Sequence, residues 1–165
     1  YLTPLLQQVF GLTPDAVTGL LLAYGAAGFL STWVGGGRGA RCVPGTAALA
    51  ALLFATVLSV AALFGDGGPV VATLVTVVWG IAFGLVPISM TGWMLDALPD
   101  APEAGQAMLV TGFQVAVASG ALFGGLLVDG HGVVSAMWLG AALSLAAVAV
   151  VAASNGTRAR RPGLA

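Results

Sequence analysis

The feature that most constrains this chain is the spacing of its few charges. Uninterrupted charge-free intervals of 22, 24, 29, 25 and 28 residues separate Asp15 from Arg38, Arg41 from Asp66, Asp66 from Asp96, Glu103 from Asp129, and Asp129 from Arg158. A helix rises about 1.5 Å per residue and needs roughly 20 apolar residues to cross the hydrocarbon core of a bilayer. Each interval is long enough for one crossing. With 59% hydrophobic residues, 7% charged residues and a mean hydropathy of +1.04, the chain cannot cover itself with a polar surface. No run of short alternating segments suggests a β-barrel, and backbone that must satisfy itself in lipid then leaves helices. The sequence predicts an all-α membrane protein with five full transmembrane helices plus the end of a sixth.

All five basic residues are arginines: Arg38 and Arg41 in one loop, and Arg158, Arg160 and Arg161 in the tail. Counting spans from that loop puts both groups on one side. The intervening loops on the other side carry Asp15, Asp66, and Asp129 with His131, and no basic residue. Positively charged loops favour the cytoplasm, so the Arg38/Arg41 loop and the carboxy terminus are expected to be cytoplasmic. Asp96, Asp100 and Glu103 share that side, which the rule permits because carboxylates contribute little. Cys42, the single cysteine, cannot form an internal disulfide and is expected on the reducing side, either as an ordinary interfacial residue or as a reactive thiol. The net charge of −1, with no basic stripe, argues against nucleic acid.

Turn chemistry divides the chain into a partial helix at 1–10 and spans at about 16–34, 44–64, 70–95, 103–128 and 133–153, with a basic tail at 154–165. Tyr1 to Phe10 is apolar but too short to cross, and reads as the outer end of a preceding helix that begins further upstream. Thr13-Pro14-Asp15 supplies a cap, a first-turn proline and a carboxylate at the positive end of the helix dipole. Helices in lipid associate through close backbone approach, which small residues at every fourth position allow. Such ridges are Ala23-Ala27-Ser31-Gly35, Ala47-Ala51-Ala55-Ser59, Gly80-Gly84, and Gly112-Ala116-Gly120-Gly124.

Polar content separates the spans by role. The second and fifth carry only scattered Ser and Thr and read as peripheral. The third contains Pro87, which removes a backbone donor in mid-helix, and the fourth contains Gln114 deep in the membrane. On the third span Trp79, Phe83, Val86, Met90, Trp93 and Met94 fall within an arc of about 100°. Such an aromatic and methionine stripe either receives planar or apolar ligands or packs against neighbouring helices and lipid, with Trp93 as an interfacial anchor.

No catalytic or metal constellation is expected. A single His in a loop makes no ligand cluster, no Ser–His or Cys–His pair lies within the membrane, and without lysine there is no phosphate-binding Gly-Lys-Ser/Thr loop. The chain is not expected to be an enzyme or to hold a cofactor.

Three stretches carry a family resemblance: Trp79-Gly80-Ile81-Ala82-Phe83-Gly84 through Pro87, Leu98 to Ala107, and Gln114 followed by Ser119 to Asp129. In this order they resemble the major facilitator superfamily, and within it the drug and sugar efflux permeases of the proton antiporter type. The resemblance covers essentially the whole chain, as the end of the family's seventh helix and helices eight to twelve. It implies the carboxy-terminal half of a two-half transporter with helices seven and ten lining a central cavity. Gly35 to Arg41 looks like the family's cytoplasmic Gly-rich basic loop, with Arg38 and Arg41 but without the usual Asp before Arg, which puts a gating ion pair there in doubt. By the same resemblance the candidate substrate contacts are Gln7, Gln8, Phe83, Met90, Trp93 and Gln114. The implied partners are a small-molecule substrate, protons as coupling ion, the lipid bilayer and the absent amino-terminal half, in a plasma membrane that is the cell's inner membrane. The competing reading is a non-transporting subunit or scaffold. An upstream coding sequence for about six more spans separates the two.

Overall fold

The computed structural model describes residues 2–38, 43–65 and 67–159. Its elements are α1 (Leu2–Pro4), a π-helical turn (Leu5–Val9), and five long helices: α2 (Pro14–Arg38), α3 (Val43–Leu63), α4 (Gly68–Ala97), α5 (Pro102–His131) and α6 (Val133–Ala159). All five contain a stretch long and apolar enough to cross a membrane. The chain is an all-α membrane protein. α6 continues past Ala153 to Ala159. Arg41, Cys42, Asp66, Arg160 and Arg161 lie outside the described residues.

Helix starts follow local chemistry. The Ala16 amide donates to Thr13 Oγ1 at 3.4 Å ahead of Pro14, and prolines open the first turns of α4 and α5, where a missing N–H costs nothing. The π turn closes with the Phe10 amide on the Leu5 carbonyl, and Gly11 at φ +63° lets the chain leave it. Between α5 and α6 a single residue, Gly132 at φ +82°, reverses direction. A side chain there would be strained. Ser135 reinforces the corner by donating to the Gly132 carbonyl at 2.6 Å and the Leu127 carbonyl at 3.2 Å.

Short connections make consecutive helices antiparallel, so α2, α4 and α6 run one way and α3 and α5 the other. One end of the bundle, called here the arginine-bearing end, holds Arg38, Ala97 and Pro102. The other holds Asp15 and His131. α4 packs most extensively on α2 and α3, and α3 on α6, whereas α5 makes lighter contacts with α4 and α6. At the end opposite the arginines, Leu5, Leu6 and Phe10 plug the core between Val17, Val57, Val75 and Met137.

The α2–α4 contact is a backbone approach. A Cβ on Gly80 would strike the Tyr24 carbonyl oxygen, one on Gly84 would strike that of Gly28, and one on Gly28 would lie 3.2 Å from the Gly80 carbonyl oxygen. A Cβ on Gly35 would lie 3.1 Å from the side chains of Leu85 and Ile88. Two hydroxyls then bond across the seam: Ser31 donates to the Ile81 carbonyl at 2.8 Å, and Thr32 to those of Gly28 and Gly84 at 2.9 and 3.1 Å. Gly124 is buried. A Cβ on Gly112 or Gly120 would meet no atom within 4 Å, so the α5 ridge does not make a continuous contact with another described helix.

Candidate functional site

Pro87 sits in the middle of α4, where its ring has no N–H to give the Phe83 carbonyl. The neighbouring carbonyls are held by hydroxyls. Besides the Ser31 and Thr32 bonds to Ile81 and Gly84, the buried Ser89 hydroxyl is within 3.0 Å of both the Leu85 and Val86 carbonyl oxygens. This stabilises a disturbed helix in a medium without water to repair it.

Beside Pro87, between α4 and α5, opens a cleft of about 470 Å³. Phe83, Val86, Pro87, Met90 and Thr91 line it from α4, and Gln106, Leu109, Val110 and Phe113 from α5. Phe83 and Phe113 are 45% and 46% exposed, so both rings are available to a ligand. The Phe83 ring leans on Tyr24 of α2, with centroids 6.2 Å apart and planes at 42°. The lining carries no charge, and its polar side chains are Thr91 and Gln106. A largely apolar cleft with aromatic faces and few hydrogen-bonding groups suits a small planar molecule better than an ion.

A second cavity, of about 300 Å³, lies between α3, α4 and α6 and shares Val86 and Met90 with the first. These two side chains therefore form the wall between the cavities. A third, of about 800 Å³, lies between α5 and α6 and is lined by Gly120, Phe123 and His131 among others.

The third-span stripe divides among three surroundings. Phe83, Val86 and Met90 line the cleft. Trp79 meets Phe54 of α3 edge-on, with centroids 6.5 Å apart and planes at 82°. Met94 packs at the hairpin between α4 and α5, where a Cβ on Gly105 would lie 3.5 Å from the Met94 Cβ and carbonyl oxygen. Trp93 is half-buried and does not line the cleft. Gln114 is exposed on α5, outside the cleft. Gln7 and Gln8 are exposed on the π turn, at the opposite end of the bundle from Thr91 and Gln106. Thus of the six candidate contacts, Phe83 and Met90 come together and the other four do not join them. Tyr24, Thr91, Gln106 and Phe113 are additional to those six. The signal that pairs Thr91 with Gln106 and Phe83 with Phe113 is the antiparallel register of the α4–α5 hairpin. Among the described residues no three His, Cys, Asp or Glu side chains cluster as a metal site.

Over 153 residues, 93% of its length, the chain is 32% identical to the purine ribonucleoside efflux pump NepI of Escherichia coli K12, a major facilitator efflux pump. The chain belongs to the major facilitator superfamily. Pumps of the same name from Shigella flexneri and from Salmonella paratyphi B are also 32% identical over 93% of the chain. The chain spans 38% of the length of these relatives. No family model matches it, and no solved structure does. In a superfamily built of two helix bundles rocking about a shared cavity, the α4–α5 cleft is the candidate for this chain's share of the substrate surface.

Proposed function

We propose that the chain contributes the carboxy-terminal half of a secondary transporter that exports small planar molecules, purine ribonucleosides among them, by alternating access in exchange for protons. Similarity to purine ribonucleoside efflux pumps along 93% of the chain carries the reading. The aromatic, uncharged α4–α5 cleft supports it, because a nucleobase gains from stacking on rings and an apolar wall. Drugs and sugars, expected from the family resemblance, belong to the same broad class of cargo. A flat heterocycle fits the Phe83 and Phe113 rings better than a sugar alone.

Proton coupling requires an ionisable group that changes protonation between the two access states. Among the described residues the carboxylates sit at helix ends or in loops, so the proton-handling groups are proposed to lie in the amino-terminal half of the transporter. The protein resides in the plasma membrane, with the arginine-bearing end and the carboxy terminus cytoplasmic. Cys42 reports that topology: a membrane-impermeant thiol reagent should leave it unlabelled in intact cells, and a permeant one should label it.

The test of function uses the full-length protein in inverted membrane vesicles with an imposed proton gradient and a labelled purine ribonucleoside. Saturable, gradient-dependent accumulation is expected. Accumulation equal to that of vesicles without the protein overturns the reading.

A further inference from the structure

The α4–α5 cleft has two chemically different ends. Phe83 and Thr91 are eight residues apart on α4, and Gln106 and Phe113 seven apart on α5, which separates the ends by about 11–12 Å along the helices. The helices are antiparallel and the Met94–Gly105 contact fixes their register. Phe83 and Phe113 therefore share one level, in the middle of the span, while Thr91 and Gln106 share another, toward the arginine-bearing end.

The polar pair has its hydrogen-bonding groups unspent. Thr18 and Thr73 each donate to the carbonyl of the proline four residues earlier, at 3.0 and 2.8 Å, the usual fate of a threonine in a helix without water. Thr91 stands in the same relation to Pro87, yet no such bond forms, and no hydrogen bond joins the Gln106 amide to another described residue. A carboxamide offers an acceptor and two donors, and a hydroxyl offers one of each. Adjacent sugar hydroxyls present the complementary set.

We propose that Thr91 and Gln106 form a hydroxyl-reading subsite that orients a base-and-sugar ligand with its planar ring at Phe83 and Phe113 and its sugar hydroxyls toward the arginine-bearing end. The inference rests on the transporter reading above and adds an orientation and a selectivity to it. The ribose side of the ligand, rather than the base, is then what these two residues discriminate. Tyr24, through its tilt against Phe83, positions the aromatic end.

The experiment compares uptake of a purine ribonucleoside, its 2′-deoxy counterpart and the free base by full-length protein in inverted vesicles, with the amount of protein measured by immunoblot. The wild type should prefer the ribonucleoside over the deoxy form by about tenfold, the effect of one well-made hydrogen bond. Gln106→Leu should bring that ratio close to one, and Thr91→Val, which removes only a hydroxyl, should lower it part-way. Phe113→Leu should weaken uptake of all three with the ratio kept. If Gln106→Leu is missing from the membrane, Thr91→Val decides alone. A ribose-to-deoxyribose ratio unchanged in the variants, with nucleosides still transported, overturns the subsite and leaves the transporter reading standing. No nucleoside transport by the wild type overturns both.

Discussion

Thr76 shows how a single hydroxyl is handled in a helix that has no water to fall back on. It is fully buried on α4, and its Oγ1 has no hydrogen-bond partner among the described residues, whereas Thr18, Thr32, Thr73, Thr111, Ser119 and Ser144 return a bond to their own helix. An unsatisfied buried hydroxyl costs about 1–3 kcal/mol. Thr76→Val should therefore raise the thermal stability of the detergent-solubilised full-length protein by an amount on the order of 1 kcal/mol, and a clear loss of stability would reveal a partner outside these residues. Met90 poses a different question, because its flexible side chain walls both the α4–α5 cleft and the cavity behind it. Met90→Ala joins the two spaces, so substrate selectivity should change with the amount of protein in the membrane preserved. Trp93→Ala, outside the cleft, should leave selectivity as it is. Equal effects of both on the ratio of two substrates would remove Met90 from the site.

At the scale of elements, the α2–α4 seam depends on the absence of side chains. Gly84→Ala puts a methyl group against the Gly28 carbonyl, a backbone atom that cannot turn aside, and overpacking of this kind costs about 1–3 kcal/mol. Gly112→Ala enters open space and should be neutral or slightly stabilising, since Ala is the better helix former. Thermal unfolding of the two variants side by side checks this. Equal stability would mean that the seam yields. The comparison also marks what the sequence could disclose. Charge-free intervals reveal the five helices because length and apolarity are properties of one segment, and Gly80-Gly84 stands out because glycine in mid-span has few other uses. Gly28, which meets Gly80 and Gly84, lies one position beside the Ala23-Ala27-Ser31-Gly35 ridge that the spacing alone selects. Gly112 and Gly120 look equivalent to Gly80 and Gly84, since in a chain with 25 glycines the i, i+4 pattern does not say whether another helix lies opposite. The α4 stripe divides for the same reason. A helical wheel gives the angle at which Trp79, Phe83, Met90 and Met94 emerge, but not that α3, α2 and α5 share that arc between them. Phe83 and Met90 can be picked out from the sequence as residues of the candidate cleft, and Gln106 cannot, because only the hairpin register brings it to the level of Thr91.

For the molecule as a whole, the distribution of burial suggests what these residues do and do not accomplish alone. The most apolar eighteen-residue stretches of α2 and α5 are 6% buried, against 33% for α3 and α4. α3 and α4 hold the bundle together, while α2 and α5 present most of their surface outward. The α4–α5 cleft is likewise open, with Phe83 and Phe113 nearly half exposed. A substrate in it would be covered on one side only, and alternating access needs a second body against which this one rocks. The proton step points the same way. Asp15, Asp96, Asp100, Glu103 and Asp129 lie within or next to the ends of their helices, so among the described residues no carboxylate stands in mid-span for a difference in proton affinity to act on. The expectation is that the 165 residues, purified and reconstituted in liposomes with a proton gradient, accumulate no purine ribonucleoside above protein-free liposomes. Co-expression with the amino-terminal half that the proposed function calls for should restore saturable uptake. Gradient-driven, saturable uptake by this chain alone would show that the bundle closes a cavity on itself or as a pair. Asp96, at the arginine-bearing end of α4 and about two turns beyond Met90, would then be the first carboxylate to substitute, and loss of gradient dependence in Asp96→Asn would identify it as the coupling group.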